Sequence, residues 1–212
     1  MPFSLPRFYP ILDTGAIGSR GALVFDVAQS FLHAGVRILQ YRHKAEWSQR
    51  HFDEAEHIAE KCREAKATFV VNDRADFAHL LGVGLHVGQD DLPVKAARAV
   101  MGNAALIGRS THNRLQFVWA DEESVEYLAL GPIFETGSKL RPDPSLGPEK
   151  LKSIRPLSRK PVVAIGGISL QNARELLDAG ADSVAVISAC LPESCTPDSL
   201  AKVAKQWLKA TA

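Results

Sequence analysis

Two short apolar stretches near the middle of this 212-residue chain end in acidic and amide side chains. The first ends in Asn72 and Asp73, and the second runs to Asp91. Each pattern predicts a strand, and a short helix predicted over residues 75–81 makes the two strands parallel neighbours about 4.8 Å apart. Carboxylates at matching strand ends could bind one cation, and hard oxygen ligands suit Mg²⁺. Alternatively, each aspartate caps the helix that follows it.

Two cationic side chains follow the strand predicted over residues 36–41, which comes before these two strands in the chain. Arg42 and Lys44 occupy alternate positions, so both can point the same way. Arg offers a bidentate fork and Lys a point charge, so the pair could hold a diphosphate. A solvated surface turn is the alternative. Lys139 lies in a long loop and could close over the same anion, although a loop lysine alone is more typical of plain surface.

Glycines and a serine follow the last two predicted strands. Gly166 and Gly167 come after residues 161–165, and Ser188 follows Ile187 at the end of the next strand. Backbone N–H groups at a glycine turn that opens a helix can approach a phosphate. A tight turn without a ligand is the other interpretation.

Two histidines lie on or near these strands. His86 alternates with apolar neighbours, which is typical of a histidine that lines a core. His112 follows the fifth strand and could act as an acid or base, or simply begin a helix. The sequence contains no Ser-His-Asp arrangement and no Cys/His zinc spacing.

The elements that must position these residues alternate between strand and helix. Strands are predicted over residues 7–13, 36–41, 68–71, 84–87, 105–108, 125–130, 161–165 and 183–187. Helices are predicted over residues 24–34, 47–66, 75–81, 148–154, 170–179 and 199–208, with others after residues 93 and 112. Such alternation implies parallel strands with right-handed crossovers.

The pattern predicts one domain over residues 1–212, a (β/α)8 TIM barrel of small size. An open doubly wound sheet is disfavoured because no Gly-x-Gly-x-x-Gly turn follows the first strand. In a barrel the functional groups lie at the C-terminal strand ends, which is where most of the residues above fall. The Gly-, Pro- and Ser-rich segment 135–148 is predicted to be a functional lid loop.

Composition excludes several classes of protein. A net charge of +1 gives no nucleic-acid footprint. No apolar run approaches the ~20 residues of a membrane helix, and the N-terminal residues lack the apolar core of a signal peptide. Three cysteines without metal-like spacing favour a reducing cytoplasm. The expected partners are small molecules, and a homo-oligomer is compatible with the sequence.

Several motifs, in this order, resemble the thiamine phosphate synthase family over nearly the whole chain. They are Gln40-Tyr-Arg-His-Lys44, Val71-Asn-Asp-Arg74, Leu85-His-Val-Gly-Gln-Asp-Asp-Leu-Pro93, Gly108-Arg-Ser-Thr-His112, Gly131-Pro-Ile-Phe-Glu-Thr-Gly-Ser-Lys139, Ala164-Ile-Gly-Gly-Ile168 and Val186-Ile-Ser-Ala189. The resemblance implies a Mg²⁺-dependent barrel enzyme that couples 4-amino-5-hydroxymethyl-2-methylpyrimidine diphosphate to a plain or carboxylated hydroxyethylthiazole phosphate. The products are thiamine phosphate and diphosphate, formed through a pyrimidine-methyl cation.

The resemblance also implies roles for individual residues. It assigns Mg²⁺ to Asp73 and Asp91. It assigns the pyrimidine diphosphate to Gln40, Tyr41, Arg42, His43, Lys44, Asn72, Ser110 and Lys139, of which Arg42, Lys44, Ser110 and Lys139 are catalytic. It assigns the thiazole phosphate to Thr136, Gly137, Ser138, Gly167, Ile187 and Ser188.

Some positions depart from the family pattern, notably Tyr41, Arg109 and residues 135–138. The Gly-Arg-Ser motif with His112 close behind it also resembles a thiazole tautomerase of the same lineage, in which that histidine would transfer protons. A barrel that binds a phosphorylated ligand without turnover is a third hypothesis. The two aspartates with Arg42 and Lys44 favour the synthase, because neither alternative needs a metal and diphosphate site.

Overall fold

The computed structural model describes residues 5–136 and 144–212. Within them, eight parallel strands close into a barrel in chain order, with β8 paired to β1. The strands are β1 (Phe8–Asp13), β2 (Ile38–Arg42), β3 (Thr68–Asn72), β4 (Gly84–Val87), β5 (Ile107–Thr111), β6 (Tyr127–Leu130), β7 (Val162–Ile165) and β8 (Ser183–Val186). The predicted (β/α)8 fold is confirmed.

Helices follow the strands on the outside of the barrel. They are α1 (Thr14–Gly18), α2 (Val24–Ala34), α3 (Gln49–Glu64), α4 (Ala75–Leu81), α5 (Val94–Met101), α6 (Arg114–Asp121), α7 (Pro148–Ile154), α8 (Ala173–Asp178) and α9 (Pro197–Ala210). Two short 3-10 turns lie at Arg155–Leu157 and Ser188–Cys190. In the described part of the chain, no helix is long and apolar enough to span a membrane.

The predicted boundaries of α2, α4, α7 and β4 match the structure. α2 ends where Gly35 takes a φ of 104°, a left-handed conformation that glycine adopts without cost. The largest error concerns β5, predicted to end at residue 108, because the polar residues that follow suggested a loop. In fact these residues pair with β6 as far as Thr111, whose hydroxyl donates to the Ala129 carbonyl at 2.9 Å.

Side chains alternate along each strand between the barrel interior and the layer beneath the helices. The outer layer is a continuous apolar core. The interior contains a second, smaller cluster: Leu5, Tyr9, Ile11, Ile38, Val70, Tyr127, Ala129, Val163 and Ala185. Nearer the C-terminal ends the interior becomes polar, since Gln40 follows Ile38 and Asn72 follows Val70 at the next inward position. One end of the barrel is therefore prepared for polar ligands.

The closing seam of the barrel is held by the last helix. Trp207 of α9 is fully buried and stacks on Phe8 of β1, with ring centroids 5.3 Å apart and nearly parallel planes. Its indole N–H donates to the Ala189 carbonyl at 3.2 Å. The first and last elements are thus locked together around the β8–β1 pair.

Candidate active site

Two carboxyl groups meet at the C-terminal mouth of the barrel. Asp73 and Asp91 lie close enough for one carboxyl to hydrogen-bond the other. Lys44 Nζ lies 2.5 Å from Asp73 Oδ2. Burial, reinforced by the Asp91 carboxyl, raises the pKa of Asp73. Burial opposes ionisation of Asp91 too, but hydrogen bonds from Asp73 and the Gly88 amide lower its pKa. Such a pair favours sharing a cation or a proton.

Neither aspartate caps a helix. The N-cap of α4 is Arg74 and that of α5 is Pro93, and neither of these helices has a side-chain cap bond. Instead, Asp91 Oδ2 accepts from the Gly88 amide at 2.6 Å and closes its own turn. The capping alternative for these two aspartates is therefore wrong.

Asp73 has an unusual backbone conformation. Its φ is 67°, a left-handed value that a residue with a side chain rarely adopts. The Arg74 amide donates to the Asn72 carbonyl at 2.8 Å, so these three residues form a γ-turn with Asp73 at its centre. The turn directs the carboxyl into the mouth, and strain of this kind is typical of functional sites.

Arg42 ends β2 and forms an ion pair with Asp13, its register partner at the end of β1. Asp13 also accepts from the Ala16 amide at 2.8 Å and so caps α1. Asp13 was not among the predicted site residues, although it ends β1 as Arg42 ends β2. A guanidinium has five N–H donors, so this pairing orients Arg42 and leaves donors for an anion.

Asn72 is the inward residue at the end of β3, and it is 5% exposed. Its Nδ2 is buried and has no hydrogen-bond partner in the described part of the chain. A buried amide donor without a partner is costly. Its position at the mouth supports a role in holding a ligand that accepts this hydrogen bond.

Gln40 and Ser110 face the interior from β2 and β5. Gln40 Nε2 donates to the Tyr9 hydroxyl at 3.0 Å, and Ser110 Oγ lies 2.8 Å from His86 Nε2. His86 is buried inside the barrel, as predicted, and burial lowers its pKa to about 4. The two predicted substrate contacts are thus connected to polar groups deeper in the interior.

Tyr41 and His43 do not fit their predicted substrate contacts. Both alternate with the inward residues of β2, so they lie on its outer side. Tyr41 is fully buried in the layer under the helices and donates its hydroxyl to Glu54 at 2.7 Å. His43 Nδ1 lies 2.7 Å from the Thr14 hydroxyl, and its ring stacks on His51 at 3.8 Å. Tyr41 and His43 are therefore corrected to supporting residues.

An aromatic cluster supports the Asp73 turn from outside. The Trp47 ring lies 5.0 Å from Phe77 and 5.6 Å from Tyr41. The Arg74 guanidinium lies 5.3 Å from the Trp47 ring and 4.1 Å from the Phe77 ring. The residue after Asp73 is therefore held by cation–π contacts.

The glycine pair after β7 has a packing role. Gly166 and Gly167 have φ values of 102° and 63°. A Cβ on Gly166 would lie 2.6 Å from Pro132, and one on Gly167 would lie 2.5 Å from the Glu135 carbonyl oxygen. The glycines thus let the loop after β7 pass against the loop after β6. The expectation that they open a helix is wrong, because α8 begins only at Ala173.

Some of the residues predicted to bind the thiazole phosphate lie in the described part of the chain, and the others do not. Gly167 and Ser188 are exposed at the mouth, and Ile187 packs against the interior cluster. Thr136 is half-buried. Gly137, Ser138 and Lys139 lie outside the described residues, as does half of the predicted lid over 135–148.

His112 is fixed at the start of the loop after β5. Its Nδ1 lies 2.6 Å from the Gly131 carbonyl, and its backbone amide donates to Gln116 Oε1 at 2.7 Å. A carbonyl can only accept, so in the neutral ring this bond assigns the proton to Nδ1. The ring therefore links the loops after β5 and β6.

The chain is similar to known proteins over most of its length. A family model described as "Thiamine monophosphate synthase" matches residues 8–190. A thiamine-phosphate synthase of Koribacter versatilis is 44% identical over 187 residues, covering 87% of this chain and 88% of that protein. One from Methanosarcina barkeri is 39% identical over 183 residues, covering 86% and 81%. The solved thiamine phosphate pyrophosphorylase of Pyrococcus furiosus aligns with a TM-score of 0.84 at 27% identity, covering 97% of this chain and 95% of that structure.

Proposed function

This chain belongs to the thiamine monophosphate synthase family, and from that premise we propose how its barrel makes thiamine phosphate. It is an enzyme, a transferase of thiamine biosynthesis. Its substrates are 4-amino-5-hydroxymethyl-2-methylpyrimidine diphosphate and a hydroxyethylthiazole phosphate, plain or carboxylated. The C–O bond to diphosphate breaks first, and the electron pair leaves with the diphosphate. The thiazole nitrogen then donates its lone pair to the pyrimidine-methyl cation, and a carboxylated thiazole also loses CO2.

The observation that carries this proposal is the contact between the Asp73 and Asp91 carboxyls beside Lys44. Two adjacent carboxylates repel an anionic substrate unless a cation lies between them and it. A barrel that only binds phosphate has no use for such a pair, and neither has a tautomerase. The pair therefore supports chemistry in which a metal ion and a diphosphate meet.

We infer that Mg²⁺ binds to Asp73 and Asp91. In the described residues, no three His, Cys, Asp or Glu side chains are grouped to hold a metal ion. This donor set suits Mg²⁺, which binds through one or two carboxylates and leaves other positions to water and substrate phosphates. When bound, the ion neutralises negative charge on the leaving diphosphate.

The cations and donors of the chain act on the same group. Arg42, oriented by Asp13, and Lys44, next to Asp73, place fixed positive charge where the diphosphate gains charge as the C–O bond breaks. Ser110 adds a hydroxyl from β5. We assign the pyrimidine ring to Gln40 and to Asn72, whose Nδ2 has no hydrogen-bond partner among the described residues. Lys139 is proposed to complete the anion site when the 135–148 loop covers it.

The second substrate is assigned to the opposite side of the mouth. Its phosphate is proposed to bind at the strand ends of β7 and β8, on Gly167, Ile187 and Ser188, with Thr136, Gly137 and Ser138 from the loop after β6. The loops after β6 and β7 pack together at Gly166 and Gly167. In this proposal the same side of the mouth therefore carries both the lid and the site for the thiazole phosphate. In this proposal the thiazole nitrogen lies across the mouth from the carboxylate pair.

The test mixes purified protein with the pyrimidine diphosphate, the thiazole phosphate and Mg²⁺, and follows thiamine phosphate with and without EDTA. We expect product that disappears with EDTA and returns with excess Mg²⁺. Absence of product, with interconversion of thiazole carboxylate isomers in EDTA instead, would move the assignment to tautomerase chemistry.

A pair of neighbouring variants sharpens this test. Asp91→Asn removes one proposed metal ligand, whereas Asp90→Asn makes the same change at an exposed residue one position away. We expect Asp91→Asn to lose at least about a hundredfold in turnover at saturating Mg²⁺ and Asp90→Asn to stay within about twofold. Equal activity of the two variants would contradict the shared-metal assignment.

A further inference from the structure

Five polar side chains form a continuous row of hydrogen bonds across the barrel interior, beneath the mouth. Gln40 Nε2 donates to the Tyr9 hydroxyl at 3.0 Å, and the Tyr9 and Tyr127 hydroxyl oxygens are 3.0 Å apart. The Tyr127 oxygen lies 3.0 Å from His86 Nδ1, and His86 Nε2 lies 2.8 Å from Ser110 Oγ. These five residues, the interior relay, link two proposed substrate contacts across the barrel.

The packing around the relay leaves it little freedom. Tyr9 and Tyr127 are at most 1% exposed, and His86 stacks on the Tyr127 ring at 5.6 Å. Gly108 on β5 gives the Tyr127 ring its space, because a Cβ there would lie 2.0 Å from the ring. Buried hydroxyls and imidazoles of this kind must satisfy their hydrogen bonds locally. The relay is therefore a fixed network and not a set of alternative contacts.

The direction of the bonds follows from the first donor. An amide nitrogen can only donate, so the Tyr9 oxygen accepts from Gln40. Within residues 5–136 and 144–212, the other partner of the Tyr9 hydroxyl is Tyr127, so Tyr9 donates its proton there. Tyr127 accepts that bond and directs its own proton to His86 Nδ1.

His86 passes this direction on. Its two ring nitrogens contact hydroxyls and not carboxylates, and burial disfavours a charged ring without an anionic partner. A neutral imidazole has one protonated nitrogen and one acceptor. Since Nδ1 accepts from Tyr127, the proton lies on Nε2 and is donated to Ser110 Oγ. The Ser110 hydroxyl proton is then left to point away from His86.

We propose that Tyr9 and Tyr127 are positioning residues that hold His86 in its Nε2–H tautomer and thereby make Ser110 a hydrogen-bond donor toward the mouth. In the same relay, one N–H of the Gln40 side chain donates to Tyr9. This bond fixes which end of the Gln40 amide is the nitrogen and which is the oxygen that can accept a hydrogen bond. This inference rests on the proposed function, in which Ser110 donates a hydrogen bond to the diphosphate as the diphosphate leaves. A serine that donated to His86 instead would present lone pairs to an anion.

The three tyrosines of the chain provide a matched experiment. Tyr127→Phe and Tyr9→Phe each remove one relay hydroxyl, whereas Tyr41→Phe removes a buried hydroxyl on the outer side of β2. We expect the two relay variants to lower kcat about tenfold with little change in KM for the pyrimidine diphosphate. Tyr41→Phe should retain kcat within about twofold.

A double variant separates positioning from structure. In the Tyr127→Phe background, Ser110→Ala should cost little more, because the serine has already lost its defined direction. If the loss in kcat of the double variant equals the product of the two single losses, the proposal is overturned. Wild-type kcat in both Tyr9→Phe and Tyr127→Phe would also overturn it. Tyr9→Phe keeps the test open if Tyr127→Phe fails to fold.

A second readout does not depend on turnover. The ¹⁵N shifts of the His86 ring, assigned with His86→Gln, distinguish a protonated from an unprotonated nitrogen. We expect an Nε2–H ring in the wild type and in Tyr41→Phe, and loss of that preference in Tyr127→Phe. An Nδ1–H ring in the wild type would overturn the relay. A wild type that makes no thiamine phosphate but has the Nε2–H ring would refute only the proposed function.

Discussion

Asp73 combines a left-handed backbone with a half-buried carboxyl, two features that oppose stability. A γ-turn of this kind costs free energy in any residue with a Cβ. The residue is nevertheless placed where its carboxyl can meet Asp91 and Lys44. At this position the requirements of folding and of binding therefore conflict.

This conflict predicts that two truncations with the same effect on activity differ in stability. Asp73→Ala and Asp73→Gly both remove the carboxyl, and both should abolish Mg²⁺-dependent turnover. Only glycine relieves the positive φ, so Asp73→Gly should be more stable than Asp73→Ala by about 1 kcal/mol. Urea unfolding of the two variants measures the difference. Equal midpoints and slopes would mean that the turn stores no strain.

His86 makes stability depend on pH. Its folded-state pKa of about 4 lies below the ordinary value of 6.5, because burial disfavours the charged ring. The unfolded chain therefore binds a proton in this range that the folded chain does not. The contribution is complete above about pH 6.5 and is lost as the pH falls toward 4.

The expected size is about 2 kcal/mol of unfolding free energy lost between pH 7 and pH 5 through this one residue. His86→Gln should lose stability at pH 7 but should have a smaller difference between the two pH values. The exposed His33 provides the control, since His33→Gln should keep the wild-type difference. Parallel curves for wild type and His86→Gln would show that the ring is not the group responsible.

At the scale of elements, the loop after β4 is pinned to β5 on two sides. Arg109 donates to the Gly88 carbonyl and lies 3.6 Å from Glu123. Gln89 Nε2 donates to the Ser110 carbonyl at 2.5 Å. The Gly88 amide donates to the Asp91 carboxyl, and Arg109 holds the carbonyl of the same glycine. Arg109 therefore positions the proposed metal ligand Asp91 through Gly88. This gives a structural role to an arginine that departs from the family pattern.

We therefore expect Arg109→Met to raise several-fold the Mg²⁺ concentration that gives half-maximal activity. Arg98 is a matched control, because it is equally buried but bonds the Ala105 carbonyl and Glu126 at the other end of the barrel. Arg98→Met should lower the unfolding midpoint without moving the Mg²⁺ curve. Superimposable Mg²⁺ curves for Arg109→Met and wild type would remove Arg109 from the site.

Alternation also explains where the sequence could and could not predict the site. The sequence could indicate that Asp73 and Asp91 lie close together, because Asp73 follows β3 directly and Asp91 lies in the short loop after β4, and the position of a strand end is visible in a single sequence. The sequence predicts that the whole run Gln40 to Lys44 contacts one ligand, but a strand presents only every second side chain to one face, and Tyr41 and His43 face away from the interior. Tyr9 and Tyr127 were missed because their hydroxyls meet across 118 residues of chain.

For the whole molecule, the barrel order follows from repeated strand and helix signals, which is why the fold could be predicted although individual boundaries were wrong by a few residues. Closure into a barrel is part of that prediction, but the contact that holds the seam could not be predicted, because it depends on packing between the two ends of the chain. Phe8 and Trp207 make that contact across the β8–β1 seam. Nothing local in either segment indicates it.

Closure predicts a large contrast between two tryptophans. Trp207→Ala should cost about 3–5 kcal/mol of unfolding free energy, because it empties a fully buried site. Trp119 is 62% exposed on α6, and Trp119→Ala should change stability by less than about 0.5 kcal/mol. Denaturant unfolding of both variants makes the comparison. A small loss for Trp207→Ala would mean that α9 does not hold the seam.

The contact between Trp47 and Arg74 has an optical consequence. Indole emission responds to a charge held against the ring, and Arg74 lies 5.3 Å from the Trp47 centroid while following Asp73 directly in the chain. Any ion or ligand that pulls on the Asp73 turn therefore moves a charge beside a natural fluorophore. In a chain whose other two tryptophans are replaced by phenylalanine, occupancy of the mouth can be followed in real time without an attached dye.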